Sequence, residues 1–207
     1  MAADPAAPVA IAILAKAPIP GFAKTRLIPA LGEAGAATLQ ARLTERAVAT
    51  AMAADTGPVT LWAAPDQGHP SFAQLAERFA LALACQHDGD LGDRMLAALA
   101  GADGPALVIG TDCPALTAGH LRAAADVLRA GADAVLIPAE DGGYVLIGAR
   151  APYPALFRDM PWGTADVMGE TRRRLVALGL SWRELAILWD VDVPADLERL
   201  RAAGWGT

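Results

Sequence analysis

The sequence predicts an α/β protein, a three-layer αβα sandwich around a mostly parallel sheet. Three observations carry that reading. Short apolar runs alternate with helical stripes along the chain. The first run, Val9 to Ala15, is unbroken, as a strand buried on both faces requires. Aspartates and a basic loop stand where such runs end, the edge at which open α/β sheets bind ligands.

In order, the strand Val9–Ala15 leads into Lys16-Ala17-Pro18-Ile19-Pro20-Gly21-Phe22-Ala23-Lys24-Thr25-Arg26-Leu27. Gly35 to Ala54 places Leu39, Leu43, Ala47 and Ala51 at four-residue spacing, a helix with one apolar stripe. Val59 to Ala63 is a second strand, ended by Pro65 and Gly68. Ser71 is expected to cap a short helix through Phe79, and Leu81 to Gln86 is a third strand. The polar stretch from Gln86 enters a helix ending near Ala100, and Ala106 to Gly110 is a fourth strand. Thr117 caps a helix to Ala130, and Ala134 to Pro138 is a fifth strand. Asp141-Gly142-Gly143 between that strand and Tyr144–Gly148 predicts a tight reversal into an antiparallel strand. Prolines and aromatics from Gly148 to Pro161 suggest a longer loop, a candidate lid. Thr164 is expected to cap a helix over Ala165–Leu178. Leu185 to Trp189 reads as the last strand, and Pro194 opens a helix to about Ala203.

At 207 residues the chain suits one domain, expected over residues 9–207 after a disordered leader at residues 1–8. The leader has neither the basic start nor the apolar core of a secretory signal, and no apolar stretch approaches a membrane span. A cytoplasmic protein without membrane contact is expected. The net charge of −6 argues against nucleic acid as a partner. Cys85 and Cys113 form no disulfide framework and match no zinc spacing.

The basic loop is the first chemical signal. Pro18, Pro20 and Gly21 fix its path, and Lys16, Lys24 and Arg26 flank Thr25 within it. Cations at the carboxyl end of a buried strand suit an anion, most simply phosphate. The loop is not a P-loop, since Ala23 stands where glycine must precede Lys-Thr.

Carboxylates supply the second signal. Asp112 follows the fourth strand, and Asp190-Val191-Asp192 follows the last. Alone, Asp112 reads equally as a turn former before proline, and Asp190 and Asp192 as helix caps. Together, facing a phosphate-seeking loop, they suit a magnesium or manganese ion completed by phosphates and water. Other chemistries lack parts. There is no serine elbow, no glycine-rich dinucleotide fingerprint and no paired histidine among His69, His87 and His120.

The basic loop, Gly89-Asp90-Leu91-Gly92-Asp93-Arg94-Met95, Gly110-Thr111-Asp112-Cys113-Pro114, Asp141-Gly142-Gly143-Tyr144 and Asp190-Val191-Asp192-Val193-Pro194 together resemble the DUF2064 family. That resemblance implies a Rossmann-like GT-A fold of the nucleotide-diphospho-sugar transferases. More distantly the chain is similar to 2-phospholactate and molybdenum-cofactor guanylyltransferases, with Thr111-Asp112-Cys113 in place of the glycosyltransferase Asp-x-Asp. It implies Asp112 and Asp192 as metal ligands, with Lys16, Lys24 and Arg26 on a triphosphate. Lys24, Arg26 and Asp112 are then the expected catalytic residues. Pro18, Gly21, Thr25, Asp90 and Arg94 join Lys16 on the nucleotide side. Asp141, Gly142, Gly143, Tyr144 and Trp162 face the acceptor. The expected reaction is nucleotidyl transfer from an NTP to a small phosphorylated acceptor. Glycosyl transfer from a nucleotide sugar and non-catalytic nucleotide binding are the alternatives, and a homodimer is left open.

Overall fold

The computed structural model describes residues 7–205. Most of the expected leader therefore lies outside the described residues, although the Ala7 carbonyl accepts a 2.9 Å hydrogen bond from Arg129 Nε. The strands are β1 (Ala10–Lys16), β2 (Val59–Ala64), β3 (Ala82–Cys85), β4 (Ala106–Ile109), β5 (Ala134–Pro138), β6 (Tyr144–Ala149) and β7 (Trp182–Glu184). They form one sheet in the order β3-β2-β1-β4-β6-β5-β7. All pairs are parallel except those of β6, which runs antiparallel to both β4 and β5. The reversal expected at Asp141-Gly142-Gly143 is what inserts β6 between them.

Period-two alternation divides the core. Ile11, Ile13 and Ala15 of β1 join Leu107 and Ile109 of β4 on one face. That face packs on α1 (Ile28–Ala54), α2 (Pro70–Phe79) and α4 (Ala118–Arg129) through Val48, Leu75, Leu121 and Leu128. Ala12, Val108, Leu136 and Ile147 point the other way, onto Met95 and Leu99 of α3 (Leu91–Ala100) and Met168 and Leu175 of α5 (Val167–Ala177). Three layers follow. A smaller cluster joins Leu197 and Leu200 of α6 (Asp196–Ala202) to Leu27, Leu39, Leu43 and Val191.

Several local expectations need correction. Helix α1 begins at Ile28, with a break at Gly32 (φ 68°, ψ 168°); the turn before the break was missed because the buried stripe begins only at Ala36. His69, not Ser71, caps α2: its Nδ1 accepts from the Ser71 amide at 3.3 Å, and Pro70 opens the helix. Thr164 closes a turn, with Oγ1 donating to the Pro161 carbonyl at 2.8 Å, and α5 starts at Val167. The last strand lies at Trp182–Glu184. Leu185–Trp189 still runs beside β5, through Leu185 N to Leu136 O (2.9 Å) and Leu188 N to Pro138 O (3.0 Å), but as a broken edge. The helix expected from Pro194 begins at Asp196.

The long loop after β6 is anchored rather than free along its middle. Leu156, Phe157 and Met160 are buried. Arg174 donates to the carbonyls of Ala155 at 3.2 Å and Asp159 at 3.0 Å. Only its end, from Trp162, reaches the cleft described next. No helix among the described residues is long and apolar enough to cross a membrane.

Candidate active site

A cleft of about 610 Å³ opens at the carboxyl ends of β1 and β4. Its basic side is built by the loop after β1. The chain doubles back through Phe22 N and Ala23 N to Ile19 O, both at 3.0 Å, with Gly21 at φ 77°. Lys24 takes a left-handed backbone, and a 3-10 turn over Thr25–Leu27 buries Leu27. Lys16, Lys24, Thr25 and Arg26 thereby line the cleft. Pro18 and Gly21 do not, so their part is to shape the loop.

The acidic side is built by alternation. Val191 is buried in the α6 cluster, and its neighbours Asp190 and Asp192 line the cleft. No side chain caps α6; Asp196 Oδ2 accepts instead from the amides of Asp192 (2.8 Å) and Val193 (2.7 Å), which fixes the turn before the helix. The Asp192 carboxylate instead pairs with Arg26. Asp112 is joined to this segment by Val191 N donating to Asp112 O at 2.8 Å.

Lys24 Nζ sits 2.9 Å from Asp112 Oδ2 and also donates to the Val191 carbonyl; its side chain is only 4% exposed. Thr111 donates to Asp112 Oδ1 at 2.9 Å, and Gln40 Nε2 donates to Thr111 Oγ1 at 3.1 Å. Asp112 is thus held on both oxygens. Gln40 was no sequence candidate; a buried polar residue on the apolar stripe of α1 is the signal that would have found it.

Asp190 is a second residue that the sequence reading undervalued. Burial first, and then the charges of Asp141, Asp112 and Asp192, push its carboxyl up to about 6. Crowded carboxylates of this kind suit a hard cation. No group of three or more His, Cys, Asp or Glu side chains among the described residues is poised for a metal. A magnesium ion would therefore take one or two carboxylates here and complete its shell with phosphate and water. Cys113 lines the same cleft, but burial pushes its thiol up to about 12, which keeps it neutral and unreactive.

Beyond the carboxylates lie Asp141, Gly143, Tyr144 and Trp162. Asp141 Oδ1 accepts from the Gly143 amide at 2.9 Å, shaping the turn. Gly142 (φ 92°) is outside the cleft lining: a Cβ there would lie 2.3 Å from the Ala165 carbonyl oxygen, so it serves close packing under α5. Asp90 is outside the lining too, since it caps α3 reciprocally with Asp93. Arg94 does line it. Gln86, another residue that the sequence reading missed, donates through Nε2 to Ala15 O (3.1 Å) and Trp62 O (2.9 Å), which leaves its oxygen to accept. A polar residue directly after a strand was its only signal.

The fold is shared with solved transferase structures. A putative nucleotide-diphospho-sugar transferase from Desulfovibrio desulfuricans G20 is 27% identical over 96% of this chain and 88% of that one, with a TM-score of 0.85. The 4-diphosphocytidyl-2C-methyl-D-erythritol synthase of Anaerococcus prevotii is 11% identical over 95% and 96%, with a TM-score of 0.63. Glucosyl-3-phosphoglycerate synthase from Mycobacterium tuberculosis, solved with Mn2+, UDP and glucosyl-3-phosphoglycerate, is 10% identical over 95% and 76%, with a TM-score of 0.56. No functionally curated protein matches the sequence. The DUF2064 family model, described as an uncharacterized protein conserved in bacteria, matches residues 47–164, and the chain belongs to that family.

Proposed function

We propose that the protein is a metal-dependent transferase acting on a nucleotide, moving a nucleotidyl group from an NTP to a small acceptor with release of pyrophosphate. One observation carries the reading. Lys16, Lys24 and Arg26 share a single cleft with Asp112, Asp190 and Asp192, at the ligand-binding edge of the sheet. Lys16 and Arg26 suit the phosphate oxygens, while Lys24 holds Asp112 in place. Asp112 and Asp192 would hold a magnesium or manganese ion, which would neutralise phosphate charge as a Lewis acid. An acceptor oxygen bonds to the α-phosphorus, and the α–β bridge breaks to release pyrophosphate. An acceptor phosphate is already ionised, so no base is needed, in keeping with a cleft whose lining contains no histidine. Positioning and electrostatics then do most of the work. Tyr144, Gly143 and Asp141 stand on the acceptor side. The cytoplasm, with no nucleic-acid or membrane partner, is the proposed setting.

Glycosyl transfer from a nucleotide sugar is the second reading, favoured by the Desulfovibrio neighbour described as a putative nucleotide-diphospho-sugar transferase. Product analysis separates the two. With candidate acceptors and magnesium, pyrophosphate from an NTP supports the first, and a nucleoside diphosphate from a nucleotide sugar supports the second. Turnover with neither, despite tight nucleotide binding, would indicate a non-catalytic binding protein.

A further inference from the structure

One part of the cleft wall carries buried hydrogen-bond donors that find no acceptor. The Arg94 side chain, in the first turns of α3, has no hydrogen-bond or ion-pair partner among the described residues, and its Nε is buried. The indole Nε1 of Trp162 is buried and unpartnered as well. Tyr144 stands edge-on to Trp162, ring centroids 6.4 Å apart, and its hydroxyl reaches only the Met95 sulfur at 3.9 Å, a weak acceptor. Burial pushes the Tyr144 phenol up, so it stays protonated and can donate. Gly92 permits this packing, because a Cβ there would fall 2.9 Å from Trp162 Cζ2 and 2.5 Å from the Phe157 carbonyl oxygen.

Buried donors without acceptors are costly, so two of them in one cleft, with a phenol held only by a thioether, call for a group that only accepts. We propose that Arg94, Trp162 and Tyr144 form a second anion subsite, separate from the basic loop, that takes a phosphate or carboxylate group of the acceptor substrate. The proposal rests on the transferase reading and moves Arg94 from the nucleotide side to the acceptor side. A guanidinium offers a charge-assisted fork, the indole one N–H and the phenol one O–H, and an oxyanion has lone pairs for all three. A neutral acceptor would leave the guanidinium charge unmatched. Asp141 and Asp190 line the same cleft and disfavour an anion beside them, which leaves this wall and the basic loop as its two anion-accepting parts.

Inorganic phosphate is the probe, titrated calorimetrically into the 207-residue protein carrying Arg26→Ala to weaken the loop site. Phosphate is expected to bind this variant at one site. Adding Arg94→Met should weaken that site about tenfold or more, and adding Trp162→Phe, which keeps a ring and removes the N–H, about fivefold. Arg94→Lys should retain part of the affinity. Trp162→Phe keeps most of the packing, so the test stands even if an Arg94 variant folds poorly. Absence of phosphate binding once Arg26 is replaced, or binding unchanged by both Arg94→Met and Trp162→Phe, would overturn the subsite. The nucleotide reading is judged separately, by whether magnesium nucleotides stabilise the wild-type protein.

Discussion

Lys24 and Arg26 lie two residues apart in one loop, yet they differ in kind. Lys24 is buried between Asp112 and the Val191 carbonyl, whereas the Arg26 side chain is 67% exposed on Asp192. Removing Arg26 should therefore change stability by less than about 1 kcal/mol, because exposed ion pairs contribute little. Nucleotide affinity should fall at least about tenfold, since a charged fork on phosphate is worth more than that pair. Calorimetric titration beside a thermal melt checks both halves. Lys24→Met should cost about 1–3 kcal/mol, by leaving Asp112 and the Val191 carbonyl without their donor; denaturant unfolding reads this directly. Asp112→Asn keeps an oxygen for Lys24, so the fold should survive while metal-dependent turnover falls about a hundredfold or more. The same pairs bear on metal binding. With Arg26 seated on Asp192 and Lys24 on Asp112, manganese alone should bind weakly. Arg26→Ala should tighten it by freeing a carboxylate, an effect visible in the electron paramagnetic resonance of free Mn2+.

At the scale of elements, one carboxylate helps to hold the far edge of the sheet. Asp133, just before β5, accepts from Ser181 N at 2.9 Å and Ser181 Oγ at 2.7 Å, which pins the start of β7. Those bonds hold its pKa below the ordinary carboxylate value. The stabilisation is therefore complete above the unfolded pKa, near pH 4, and disappears as pH falls through the lower folded value. Asp133→Asn should lower stability by about 1 kcal/mol or less at neutral pH and remove that part of the acid limb; urea melts across pH show both. Gly148 makes a different demand. In β6, between β4 and β5, a Cβ would lie 2.5 Å from Leu107 Cδ2 and 2.7 Å from Val135 Cγ1, so Gly148→Ala should overpack the sheet by about 1–3 kcal/mol. Elements of this kind were partly legible in sequence. Strand β5 and the antiparallel β6 could be read because unbroken apolar runs flank a glycine reversal. The start of β7 could not, because Trp182-Arg183-Glu184 is an edge strand held by one neighbour, with no burial pattern to mark it. The caps at Ser71 and Thr164 misled because a hydroxyl near a helix start equally serves the preceding turn.

For the whole molecule, the site is assembled from segments that only the sheet order brings together. The Lys24 to Val191 hydrogen bond spans 167 residues of chain and the Arg26 to Asp192 pair spans 166. A basic loop and two aspartates at strand ends were readable one by one, since each stands at the same edge of an α/β sheet. Their pairing was not, nor was the Gln40–Thr111 chain behind Asp112, because both depend on side-chain directions fixed by packing. The transferase reading requires the exposed Arg26–Asp192 pair to open for a metal-bound nucleotide, while Lys24 keeps Asp112 in place. Its most direct test is a thermal-shift titration of the wild-type protein with the four NTPs and a set of nucleotide sugars, each with and without magnesium, repeated on Arg26→Ala and Asp112→Asn. At about a hundred times its dissociation constant a ligand adds roughly 2.7 kcal/mol, well within detection. A magnesium-dependent shift with a nucleotide is expected, smaller in both variants. Silence across the panel, or a shift indifferent to magnesium and to both substitutions, would contradict the transferase reading.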